Sequence, residues 1–168
     1  MGLFTGETFN NLDELLVHQL KDLYDAEQRF KKALPKMAEA ATNPQLKTAF
    51  QDHERETEQQ IDRLKQCFEK LGKTAEAVTC EAAKGLVSEG SDYISAKGDD
   101  NVRDAALIAA GQRVEHYEIA GYGTARNLAQ QCGHPAVADL LQKTLDEEGA
   151  ADKKLTQLAE SGINATAA

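Results

Sequence analysis

The chain has 168 residues, 41% hydrophobic and 28% charged, enough for one soluble domain with a sizeable core. Its 19 Lys and Arg against 28 Asp and Glu give a formal charge of −9, which argues against nucleic-acid binding and against attraction to anionic membranes. Cys67, Cys80 and Cys132 are odd in number and lack CxxC spacing, so they read as small buried hydrophobes of a reducing compartment. No apolar run approaches the ~20 residues that span a bilayer, and no signal-peptide core opens the chain. A cytoplasmic location is expected.

With only 3 prolines and no sustained β-branched run, the chain favours helix throughout. Residues 1–10 read as a loose lead-in. Asn11-Leu-Asp-Glu14 resembles a capping box and starts a helix over 11–41. Leu16, Leu20, Leu23, Glu27, Phe30, Leu34 and Met37 then step by three and four down one face, with Glu27 where a leucine belongs. Pro35 removes a backbone donor inside this pattern and predicts a kink, with the stripe continuing through Met37 and Ala41. Asn43-Pro44 caps a second helix over 44–71, closed by Gly72. Between Phe50 and Ile61 its seam carries His53, Glu56, Thr57 and Gln60 instead of apolar residues. Residues 73–101 read as a long crossover with its own helix over 75–97. A third long helix spans 101–132, and His134-Pro135 opens the last, over 135–161, before a frayed tail.

The turns joining helices 11–41 to 44–71 and 101–132 to 135–161 are short, so each pair forms an antiparallel hairpin. Glu27 lies 15 residues before a turn at 42 and Glu56 lies 14 after it. Glu118 lies 16 before a turn at 134 and Glu148 lies 14 after it. At 1.5 Å per residue all four stand roughly 21–24 Å from their turns. Glu27 and Glu118 are offset by 91, Glu56 and Glu148 by 92, and Pro44 and Pro135 by 91. This regularity is that of a repeated helical hairpin. Two hairpins joined by a long crossover make a ferritin-like four-helix bundle, all-α, with an extra helix in the crossover.

Any one seam glutamate is more often a flank residue reaching solvent. Four at matched heights, with Glu115 and Asp152 one turn away, instead suggest a dry acidic site neutralised by two divalent iron or manganese ions. The usual pattern adds a histidine three residues after the glutamate on the second and fourth bundle helices. Gln59 and Ala151 stand there, with Gln60 and Asp152 as possible oxygen replacements. His53 and His116 are expected to hydrogen-bond ligands rather than serve as ligands, Tyr24, Tyr117 and Tyr122 to pack, and Tyr24 is also a possible member of the supporting shell.

Leu23-Tyr-Asp-Ala-Glu27, His53-x-x-Glu-Thr57, Arg103-Asp-Ala-Ala-Leu-Ile-Ala-Ala110, Val114-Glu-His-Tyr-Glu-Ile-Ala120 and Leu145-Asp-Glu-Glu148 resemble the YciE/YciF group of bacterial ferritin-like stress proteins, over about residues 8–160. The resemblance implies a long-helix bundle related in fold to rubrerythrin and a homodimer. Rubrerythrin-type sites use a Glu-x-x-Glu pair that maps onto Glu115 and Glu118. Together these readings give a metal-binding stress protein with Glu27 and Glu118 as terminal ligands and Glu56 and Glu148 bridging. Glu115 or Asp152 completes the set, and Fe(II) oxidation or peroxide handling is the expected chemistry. The alternative is a structural bundle dimer whose seam acids share protons or hold an incidental ion.

Overall fold

Asn11 starts the first helix by accepting the Glu14 backbone N–H at 2.9 Å on its side-chain oxygen, as its position in the sequence predicts. In the computed structural model, which describes residues 6–168, α1 then runs over Leu12–Ala40. It continues through Pro35, and Met37 and Ala38 stay buried beyond it. Asn43 caps α2, Pro44–Lys70, by accepting from the N–H groups of Gln45 and Leu46. Asp99 does the same for α4, Asp100–Gln131, and Pro135 begins α5, Pro135–Leu158. Gly72 and Gly133 follow α2 and α4 with φ of 64° and 77°, the left-handed geometry that closes a helix cheaply only at glycine.

The four long helices form a bundle in which α1 packs on α2 and α4, and α5 packs on α4 and α2. The crossover helix α3, Glu81–Ile94, lies against α1 and α4. It is shorter than the predicted 75–97. Residues 73–80 are non-helical because their backbone bonds to α1 instead: Val78 N–H donates to the Lys21 carbonyl and Cys80 N–H to the Asp25 carboxylate. The Cys80 thiol caps α3 by accepting the Ala83 N–H at 3.3 Å. The end of the chain also departs from the expected frayed helix. After Leu158 it makes a π turn, Ala159–Ile163, and a short α6, Asn164–Thr166, which bury Ile163 against the bundle.

One buried acid ties the bundle's far end together. Asp104 on α4 accepts the backbone N–H groups of Thr42 and Asn43, at 2.9 and 2.7 Å, and the Thr42 hydroxyl at 2.7 Å. It thereby holds the α1–α2 turn onto α4, a tertiary cap that the local sequence does not announce. Gly111 allows another close approach on α4, since a Cβ there would stand 2.9 Å from Leu155 and 3.4 Å from Phe50. Among the described residues, no helix is long and apolar enough to cross a membrane.

The apolar core falls into three clusters, the smallest of which, Ala26, Phe30, Cys80 and Ala83, joins α3 to α1. Leu16, Leu20, Leu23, Leu64, Phe68, Tyr122 and Leu141 fill one end. Leu34, Met37, Leu46, Phe50, Leu107, Leu155 and Leu158 fill the other. Between them, each long helix replaces its apolar stripe with acid, amide or imidazole.

Candidate metal centre

The polar layer is made by helical register. On α4 the steps from Gly111 to Glu115, Glu118 and Tyr122 keep one face inward, and on α5 Thr144 and Glu148 precede Leu155 on the buried side. Glu27 and Glu148 are 0% exposed, Glu118 1% and Glu115 3%. All four rest at the same interior level, closed above and below by the two larger apolar clusters.

His53 Nε2 and one carboxylate oxygen each from Glu115, Glu118 and Glu148 lie within 4.8 Å of one another. The imidazole nitrogen is 3.3 Å from Glu115 and 3.7 Å from Glu148. It is nonetheless left without an aligned hydrogen bond, as are the Oε2 atoms of Glu27, Glu115, Glu118 and Glu148 and the Oε1 of Gln60. Six buried polar atoms with no partner around one point would be a severe cost in a finished core. A cation between them would satisfy His53 and the Glu115, Glu118 and Glu148 oxygens together.

The electrostatics point the same way. Burial first, then neighbouring carboxylates such as Glu148 and Glu27, push the pKa values of Glu27, Glu115 and Glu118 well above the usual carboxylate range. Glu148 is raised chiefly by burial, against the pull of His53. Burial opposes the charging of His53, but its bond to Glu56 and the charge of Glu148 outweigh burial and raise its pKa. The guanidinium nearest the site, Arg63, is committed to Glu147 through two bonds of 2.8 and 2.9 Å and also donates to Thr144.

The supporting shell orients these groups. Tyr122 is fully buried and donates its hydroxyl to Glu27, so its role goes beyond the packing expected of it. Gln60 donates to Glu148 and, at 3.1 Å, to Glu147. His53 and Glu56 stand in the reverse of their expected positions relative to the cluster. Glu56 has a side chain 45% exposed and touches His53 Nδ1 at 3.5 Å, while His53 faces the cluster. The cause is angular: three residues' separation leaves Glu56 about 60° around the helix from His53, off the arc shared by Phe50, Gln60 and Leu64. A proton on Nδ1 directed at Glu56 leaves Nε2 free as a donor to a metal.

Other candidates fall outside the cluster. Asp152 is partly exposed, accepting from Gln112 at 3.1 Å and sitting 3.3 Å from His116, whose side chain is 70% exposed. Tyr24 stacks edge-on against Phe68 in the apolar end, with ring centroids 6.0 Å apart. Cys67 is an inert buried thiol, its pKa pushed up to about 12 by burial. The sequence reading missed Arg63 and Glu147. Their signal was present, since Arg63 lies one turn beyond Gln60 and Glu147 sits beside Glu148.

Residues 11–168 match the family described as Domain of unknown function (DUF892). The chain is 44% identical to protein YciF of Escherichia coli (strain K12) over 154 residues, covering 91% of this chain and 93% of that protein. It belongs to this family. The crystal structure of the E. coli stress protein YciF superposes with a TM-score of 0.89 at 43% identity, covering 93% of this chain and 99% of that one. YcfI of Rhodopseudomonas palustris, described as a candidate structural protein, gives 0.87 at 44% identity over 91% and 98% of the two chains. A Xanthomonas campestris protein, 24% identical, shares the fold with a TM-score of 0.72 over 93% and 96% of the chains. The resemblance to the YciF group and the helical-bundle expectation are therefore correct.

Proposed function

We propose that this DUF892 protein holds divalent iron or manganese inside its bundle and uses the site to handle oxidants. The observation that carries this reading is the convergence of unpartnered, buried His53, Glu115, Glu118 and Glu148 atoms within 4.8 Å. One nitrogen and several carboxylate oxygens suit a first-row divalent ion, whereas a thiolate set would favour zinc or copper. Glu27, buried at the same level, would add a carboxylate for a second ion. Glu56 orients His53, Gln60 holds Glu148, and Tyr122 holds Glu27, so the ligands are positioned before metal arrives. Bound iron or manganese would supply electron exchange with dioxygen or peroxide. The apolar clusters close both ends of the layer, so solvent reaches it from the side.

The test is thermal melting, with metal analysis, after chelator treatment and after loading with Mn(II). In metal-free protein the raised carboxyl pKa values mean that the fold holds protons which the unfolded chain releases above about pH 4.3. Stability from these groups is therefore full below that pH and is lost as pH rises through the folded-state values. His53, also raised, acts with the same sign. The Tm of chelator-treated protein is expected to fall between pH 5 and pH 8. Mn(II) is expected to reverse the trend, raising Tm most at pH 8, because its ligands are the deprotonated groups. Substoichiometric metal after loading, with no Mn(II) effect on Tm at pH 8, would support the rival structural bundle instead. The description of YcfI as a candidate structural protein favours that rival.

A further inference from the structure

Two clefts reach Glu115 from opposite sides of the bundle, and they differ in chemistry. One, about 80 Å³, lies between α1, α3 and α4. Its walls are apolar, with Phe30, Leu34, Met37 and Val114 among them, and its rim carries Arg29, Lys32 and Lys36. A cation approaching there meets like charge and then a surface that cannot replace its hydration shell.

The other is a groove of about 520 Å³ between α2 and α5, with Asp52 and Glu56 on one wall and His53 and Glu115 at its floor. Ala150, Ala151, Leu155 and a single cation, Lys154, form the opposite wall. Ala151 stands three residues after Glu148, the position at which di-metal carboxylate bundles carry a ligating histidine. In this chain a methyl group stands there, and the volume an imidazole would occupy is part of the groove. The donors along it are contiguous. Glu56 is 45% exposed and lies 3.5 Å from His53, which in turn lies 3.3 Å from Glu115. The inner end of this sequence is the buried, unpartnered His53 Nε2 and the Oε2 atoms of Glu115 and Glu148.

We propose that the α2–α5 groove is the path by which divalent cations reach the buried cluster, with Glu56 as the first ligand met at its mouth and Ala151 as the small residue that keeps it open. The inference rests on the metal-binding reading above. An ion exchanging water for Glu56 is passed inward to His53 and Glu115, and Asp52, Glu56 and Glu147, which outnumber Lys154 along the groove, raise its local concentration.

The test measures uptake of Co(II) by stopped flow, through quenching of tyrosine fluorescence, alongside the equilibrium Kd from calorimetry. Ala151→Leu, at a partly exposed position, is expected to slow association about tenfold while leaving Kd within about threefold of the parent. Glu56→Gln is expected to slow it several-fold and to flatten its dependence on ionic strength. Ala33→Leu, which narrows the apolar cleft, is expected to leave the rate unchanged. Association by Ala151→Leu at the parental rate, or slowing by Ala33→Leu in its place, would overturn the route while leaving the metal site standing. A parent protein that takes up no Co(II) would remove the metal-binding reading itself, and the route with it.

Discussion

Replacing Glu118 with leucine is expected to stabilise the metal-free protein while abolishing its stabilisation by metal. Glu118 is 1% exposed, its Oε2 lacks a hydrogen-bond partner, and burial and neighbouring carboxylates hold its pKa well up. A leucine of similar volume in the same arc would join the apolar clusters above and below it. Exchanging a buried charged group for packed hydrocarbon typically changes stability by roughly 0 to +4 kcal/mol. For a chain of this length each kcal/mol moves Tm by about 2–4 °C, so a mid-range gain of about 2 kcal/mol gives a rise of roughly 4–8 °C after chelator treatment. The parent should gain about 2.7 kcal/mol from an ion at a hundredfold excess over its Kd, and the variant should gain none. A Glu118→Leu protein that melts below the parent without metal would show that this carboxylate supports the fold for its own sake.

The opposite result is expected at Asp104, a buried acid outside the layer. Asp104→Ala leaves the N–H groups of Thr42 and Asn43 and the Thr42 hydroxyl without their shared acceptor. Orphaned donors cost about 1–3 kcal/mol each when buried, less where water reaches them, and Thr42 is exposed. A loss of roughly 2–4 kcal/mol follows, or about 5–15 °C in Tm. Asp104→Asn keeps one acceptor but turns an NH2 group toward other donors, and should fall between the parent and the alanine variant. Both variants should still bind metal, because the α1–α2 turn lies at the far end from the acidic layer. Denaturant melts at fixed metal concentration separate the two effects.

The contrast between these two acids shows what was legible in the sequence. Helix starts at Asn11 and Asn43 follow from side-chain caps and the start at Pro135 from the fixed φ of a proline in the first turn, all decided locally. The shared level of Glu27, Glu118 and Glu148 follows from counting along antiparallel rods, since the rise per residue is fixed. Side-chain direction within the layer is harder. His53 and Glu56 both interrupt the α2 stripe, and choosing between them needs the arc set by Phe50, Gln60 and Leu64 rather than spacing alone. The order here, His-x-x-Glu, reverses the Glu-x-x-His of the common di-metal pattern, so the common spacing points to Glu56 rather than His53. Asp104 was invisible for another reason. Its partners lie 61 and 62 residues away, and nothing near it in the chain marks it as a cap. Residues 73–80 likewise owe their extended path to Lys21 and Asp25 on α1.

The direct measurement is a crystal structure of protein loaded with Mn(II), with anomalous data collected at the manganese edge. An anomalous peak is expected within coordination distance of His53 Nε2 and the carboxylates of Glu115, Glu118 and Glu148. Saturated crystals with no peak in that layer, or with peaks only at surface acids such as Asp62 or Glu81, would contradict it.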